Sequence, residues 1–143
     1  MPSRKLKKVP LNDLKIGDSA EISKKMTFDM VIEFSKISHD FNPLHLDPNY
    51  AERSTFKRQI IHGMIPASLF SGLFGTKLPG IGCLYKSQNI RFKRPIFVDD
   101  IVKAKVQIIS INLNDRVLTF YTECTVKNRV AIVGEAEIFV PKN

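Results

Sequence analysis

A chain of 143 residues, 43% hydrophobic and 25% charged, has the size and balance of one globular domain with a real core. Basic residues number 22 against 14 acidic, and the formal charge of +8 favours anionic partners without choosing among nucleic acid, phosphorylated ligands and acidic proteins. Two cysteines exclude a disulfide-built miniprotein, three histidines without paired cysteines argue against structural zinc, and no apolar run is long enough to span a membrane. No apolar signal-peptide core follows the basic N-terminus, so a soluble, cytoplasmic protein is expected.

In chain order, residues 1–10 lie between prolines and carry the cations of residues 4–8; they read as a solvated basic arm, with 11–143 as a single domain. Leu14-Lys15-Ile16-Gly17-Asp18 predicts a turn into a strand over residues 19–26. Thr27 is a fitting N-cap, and Met30, Val31, Phe34 and Ile37 form one apolar face of a helix ending near Ser38. Residues 39–62 are crowded with turn formers, among them Asp40, Asn42, Pro43, Asp47 and Pro48. They break any long element, with a short helix over Tyr50, Ala51 and Glu52 started by Pro48. Polar and aromatic residues mixed into such an excursion mark it as functional.

Residues 64–75 contain no charge, which predicts a helix buried on all sides, with Pro66 in its first turn and Pro79-Gly80 beyond its end. Four strands follow. Leu84, Ile90 and Phe92 share one parity; Val102, Ala104, Val106 and Ile108 alternate with polar residues, as do Leu118, Phe120, Cys124 and Val126. The last strand carries Val130, Ile132, Ala136 and Ile138. Asn112-Leu113-Asn114-Asp115 and Lys127-Asn128-Arg129 supply the turns. An antiparallel sheet curled around one helix is the expected architecture.

The chemistry concentrates between residues 39 and 72. Asp40 and His45 are separated by a turn-forming Asn42-Pro43, so a bent loop can aim both at one target. A carboxylate beside an imidazole is either a serviceable acid–base pair or a hydrogen bond that pins the loop. His62-Gly63 precedes the uncharged helix, where unsatisfied backbone N–H groups sit at the positive end of the dipole and Gly63 allows close approach. An ordinary loop-to-helix turn reads the same way. Ser68 and Ser71 share a helix face and either bond back to the backbone or orient the loop. Cys83 and Cys124 read as small strand hydrophobes. Neither a phosphate-cradling loop nor a dinucleotide fingerprint is present.

Ser38-His39-Asp40-Phe41-Asn42-Pro43-Leu44-His45-Leu46-Asp47-Pro48, together with Ile61-His62-Gly63-Met64 and Ala67-Ser68-Leu69-Phe70-Ser71-Gly72, strongly resembles the MaoC-like (R)-specific enoyl-CoA hydratases. The resemblance runs from the Ile16-Gly17-Asp18 turn to the last strand. It implies an α+β hot-dog fold, a homodimer with acyl-CoA tunnels, and reversible syn addition of water to a trans-2-enoyl thioester giving the (3R)-3-hydroxyacyl product. On matching positions, Asp40 and His45 become the catalytic pair, with base and acid unassigned, and Gly63 the oxyanion N–H donor. Asn42 and Ser71 become supporting residues. No metal or redox cofactor is implied, coenzyme A being part of the substrate. Pro66 departs from the unconstrained apolar residue expected there, which bears on acyl length.

Three rivals share some of these features. A 3-hydroxyacyl-carrier-protein dehydratase would use the same site. A hot-dog thioesterase often needs a carboxylate on or beside the central helix, and residues 64–75 have none. A nucleic-acid binder would exploit the charge, yet the cations are spread and no binding motif accompanies them. Arg91 and Lys93, alternating with a core-facing Phe92, are candidate partners for coenzyme A phosphates.

Overall fold

The computed structural model describes residues 5–142. Strand β1 (Ser19–Lys25) leads to helix α1 (Phe28–Ser38), two short helices α2 (Pro43–Leu46) and α3 (Pro48–Glu52), and the central helix α4 (Met64–Thr76). Strands β2 (Leu84–Gln88), β3 (Arg91–Phe92), β4 (Ile101–Asn112), β5 (Val117–Val126) and β6 (Arg129–Phe139) complete the chain. The six strands form one antiparallel sheet in the order β1-β4-β5-β6-β2, with β3 also paired to β6. This is the hot-dog architecture, a sheet curled around a helix. Among the described residues no helix is long and apolar enough to cross a membrane.

Period-two patterning explains the sheet's inner face. Val102, Ala104, Val106 and Ile108 are buried while their neighbours on β4 are not, and Leu118, Phe120 and Cys124 meet them from β5. Register follows: Ala104 opposes Cys124 and Phe120 opposes Ala136. Ile65, Phe70, Leu73 and Phe74 of α4 fill the concave side. Thr122 is the one polar side chain buried on β5, and Gln88 Nε2 satisfies its Oγ1 at 2.9 Å. The β5–β6 turn carries Lys127 and Asn128 at φ of 50° and 64°, the left-handed pair that a tight hairpin requires.

Four expectations are corrected. The central helix is buried on one face only: Met64, Ser68, Ser71, Gly72 and Gly75 are exposed. Absence of charge therefore marked a face uncovered in the single chain as well as a core face. The strand expected around Leu84, Ile90 and Phe92 is broken, with β2 ending at Gln88 and β3 restarting at Arg91. Phe92 does not enter the core; it is 55% exposed, because β3 is a two-residue edge piece. Finally, the arm is not wholly a free tail. Residues 1–4 lie outside the described residues, but Lys7 donates its N–H to the Thr76 carbonyl (2.9 Å) and Val9 to that of Pro79 (2.8 Å).

Candidate active site

A chain of side-chain caps builds the loop. Thr27 accepts the Met30 N–H and starts α1, which ends at His39 in the left-handed conformation (φ 63°), its N–H donating to the Ser35 carbonyl. Ser38 Oγ accepts the Asp40 N–H (3.1 Å) and Asp40 Oδ1 accepts that of Asn42 (3.1 Å). Asn42 Oδ1 accepts the Leu44 N–H (3.0 Å), capping α2, and Asp47 Oδ1 accepts those of Asn49 and Tyr50, capping α3. Pro43 and Pro48 occupy the first helical positions, where a missing N–H costs nothing. Asn42 is therefore the turn that sets the reach from Asp40 to His45.

With Oδ1 fixed by that turn, Asp40 Oδ2 faces two imidazoles, lying 4.0 Å from His45 Nε2 and 3.9 Å from His62 Nε2. His45 is buried and its Nδ1 stands 2.8 Å from the Ile60 carbonyl. A carbonyl can only accept, so Nδ1 carries the proton and Nε2 presents a lone pair toward Asp40 when the ring is neutral. The supporting segment is itself anchored. Ile61 N–H donates to the Ile96 carbonyl (2.7 Å), and Gln59 Nε2 donates to the His45 carbonyl (2.8 Å). Two hydrogen bonds of about 2.8 Å at a water's bond angle would set their acceptors roughly 4.4 Å apart. The gap between Oδ2 and Nε2 matches one such molecule donating to both.

His62 completes the cluster from below. It is 2% exposed, stacks on His45 with ring centroids 4.0 Å apart, and meets the edge of Phe34 at 4.9 Å. Its Nε2 lies 3.0 Å from the Asp40 carbonyl oxygen and so carries the proton there. Burial pushes this imidazole below its ordinary pKa, and the neighbouring His45 pushes the same way, against the raising effects of the Asp40 carbonyl and carboxylate. Three potential metal donors thus lie within 4.8 Å of one another, but a protonated Nε2 on His62 has no lone pair to offer an ion. Proton handling suits the arrangement better than metal binding.

Gly63 opens α4, and among the described residues its N–H has no hydrogen-bond acceptor. It shares a cavity of about 320 Å³ with His45, Phe56, Ile60, Phe92, Lys93 and Arg94. A Cβ at Gly63 would meet the Phe92 ring at 2.5 Å, so only glycine leaves this wall as it stands. Lys93 and Arg94 continue with Arg129 into an adjoining recess of about 370 Å³. Arg91 lines neither hollow. Ser71 also stands apart: it lines a mostly apolar cavity of about 410 Å³ with Phe34, Met64, Ser68, Tyr85 and Ile90. Among the described residues no hydrogen bond joins Ser71 to Asp40 or His45, while Ser68 Oγ bonds back to the Ile65 carbonyl (2.6 Å). The residues reading from sequence missed are His62, Gln59, Ile60 and Arg129. The second histidine beside a helix-starting glycine was the available signal for the first of them.

A family model described as MaoC like domain matches residues 14–129, the span that holds the whole cluster. The chain is 43% identical over 129 residues to the (R)-specific enoyl-CoA hydratase of Aeromonas caviae, covering 90% of this chain and 96% of that protein. The solved structure of the A. caviae (R)-hydratase has a TM-score of 0.88, covering 90% of this chain and 98% of that one. The unliganded R-hydratase of Pseudomonas aeruginosa has a TM-score of 0.91 at 31% identity, covering 96% and 89%. A mitochondrial 3-hydroxyacyl-[acyl-carrier-protein] dehydratase of Arabidopsis thaliana is 31% identical over 132 residues, covering 90% of this chain and 78% of that protein. Fold and overall sequence agree across most of the length, and the chain belongs to the MaoC-like domain family.

Proposed function

We propose that the protein is a hydro-lyase, an (R)-specific enoyl-CoA hydratase that adds water reversibly to trans-2-enoyl-CoA to give (3R)-3-hydroxyacyl-CoA. The observation that carries this reading is the pair of acceptors, Asp40 Oδ2 and His45 Nε2, 4.0 Å apart, with His45 lining a cavity that also holds the unused Gly63 N–H. One water donates to both acceptors. As its oxygen attacks C3, the pair takes one proton, and charge moves to the thioester oxygen against Gly63. The pair then delivers a proton to C2 on the same face, a syn addition. Asp40 and His45 act as one coupled unit, so acid and base are properties of the pair. No metal or redox cofactor takes part; coenzyme A enters as part of the substrate. Crotonyl-CoA should be consumed with loss of enoyl absorbance, giving the (3R) isomer by chiral analysis and releasing no free thiol. Thiol release would indicate a thioesterase, and a (3S) product would defeat the reading.

The Arabidopsis relative supports a carrier-protein thioester as the second reading. Rates on matched coenzyme A and carrier-protein substrates decide between them.

Lys93, Arg94 and Arg129 are better placed than Arg91 to meet coenzyme A phosphates, since they continue the His45–Gly63 cavity. Exposed pairs are worth roughly 0.2–1 kcal/mol each and are screened by salt. Added salt should therefore raise KM for enoyl-CoA several-fold with kcat nearly unchanged. Lys93→Ala, Arg94→Ala and Arg129→Ala should flatten that dependence in steady-state assays, and Arg91→Ala should not.

The exposed, uncharged face of α4 and the β2 edge, with Met64 52% and Leu84 57% exposed, fit burial against a second copy. A homodimer by light scattering at micromolar concentration is expected; a monomer would count against it.

A further inference from the structure

We propose that His62 is a positioning residue for hydration: seated against the His45 ring, it holds the Asp40 carbonyl through Nε2–H, and that hydrogen bond sets the gap that receives the water. The inference rests on the hydratase reading and deepens it. Asp40 follows the end of α1, His45 belongs to α2, and the two share only a short loop. What ties both to the same rigid base is one side chain at the start of α4, stacked at 4.0 Å on the His45 ring and 3.0 Å from the Asp40 carbonyl oxygen. Ser35 Oγ, at 3.4 Å from the same Nε2, and the Phe34 edge fix the ring from α1.

The geometry also fixes the tautomer. Nδ1 of His62 is buried without a hydrogen-bond partner among the described residues. A proton there would be a buried donor with no acceptor, so the ring remains neutral with its hydrogen on Nε2. The same Nε2 lies 3.9 Å from Asp40 Oδ2, so one donor faces both the carbonyl and the carboxylate of Asp40. The titratable groups facing His62 are Asp40 and His45; Phe34 and Ser35 bring no charge. His62 has no route to substrate of its own and acts through the other two.

Two substitutions separate positioning from packing. His62→Phe keeps a planar ring against His45 and deletes the donor, whereas His62→Gln keeps an N–H at about the same reach and deletes the stack. With crotonyl-CoA, His62→Phe should lower kcat about 10- to 100-fold, the scale of a small misplacement of reacting groups, with KM within about twofold. His62→Gln, which keeps the donor, should restore kcat to within about fivefold of wild type. Equal losses of kcat in both variants would make His62 a packing residue and overturn the proposal, as would wild-type kcat in His62→Phe. If His62→Phe does not fold, His62→Gln carries the test alone, and a loss there beyond about tenfold overturns the proposal. An inactive wild type, by contrast, would defeat the hydratase reading itself.

Discussion

Asp40→Asn and His45→Ala should each give a folded protein whose crotonyl-CoA hydration falls about 100-fold or more, the range for lost acid–base groups. Asparagine keeps the Oδ1 acceptor for the Asn42 N–H, so the turn survives while Oδ2, an acceptor for the water, is replaced by an amide NH2 that can only donate. Removing the His45 imidazole takes away Nε2 and frees the Ile60 carbonyl, whose neighbours Gln59 and Ile61 are still held by Val98 and Ile96. The fold should therefore outlast the chemistry. Because one water must be held by both acceptors, losing either disables the other. The double variant should be scarcely worse than the poorer single, far from the product of the two losses. Steady-state rates, with circular dichroism as the check on folding, test this. Both singles retaining over half of wild-type activity would show that the water is bound elsewhere.

The sheet was legible because alternation over long strands has one physical reading. Four apolar positions in step on Val102, Ala104, Val106 and Ile108 must face one side, and all four are buried. Helix α1 was legible from its cap and from Met30, Val31 and Phe34, but Ile37, expected on the same face, is 79% exposed in the last turn. What misled was the meaning of an uncharged segment. Residues 64–75 have no charge, yet Ser68, Ser71, Gly72 and Gly75 stand on an exposed face. A single chain's sequence does not separate a face buried by its own sheet from one left for another molecule. The break between β2 and β3 was hidden for a related reason. Edge pieces pair with β6 alone, so their apolar residues need not align into one core face.

In the site, spacing showed that Asp40 and His45 share a loop, but not how that loop is held. Helix α2 is too short for any periodicity and exists because Asn42 caps it and Pro43 opens it. His62 is 17 positions from His45 in the chain, and only the fold stacks one ring on the other. Ile60 takes part through its backbone carbonyl, which its side-chain identity does not advertise. Arg129 joins Lys93 and Arg94 because β6 runs beside β3 and the segment after it, a pairing across 36 residues of chain.

The largest loss of stability is expected where α4 meets the sheet. Phe74 is 1% exposed, with its ring edge-to-face against Phe120 at 4.7 Å and Tyr85 at 5.2 Å. It links the helix to β5 and β2 at once. Phe74→Ala deletes both aromatic pairs and leaves a cavity walled by sheet residues that cannot collapse without bending strands, a cost of about 3–5 kcal/mol. Phe74→Leu refills most of the volume and should cost roughly 1–2 kcal/mol. For a domain of this length the alanine variant should melt roughly 10–20 °C below wild type. Urea midpoints and Tm must be compared at one protomer concentration, since a dimer's stability depends on it. Activity per folded molecule should fall less than stability. Gly63 and His62 lie at the opposite end of α4, where Ile65 and Ala67 still seat the helix on the sheet. An alanine variant as stable as the leucine one would mean that the helix shifts to close the cavity. That shift would then show as lost activity at the Gly63 end.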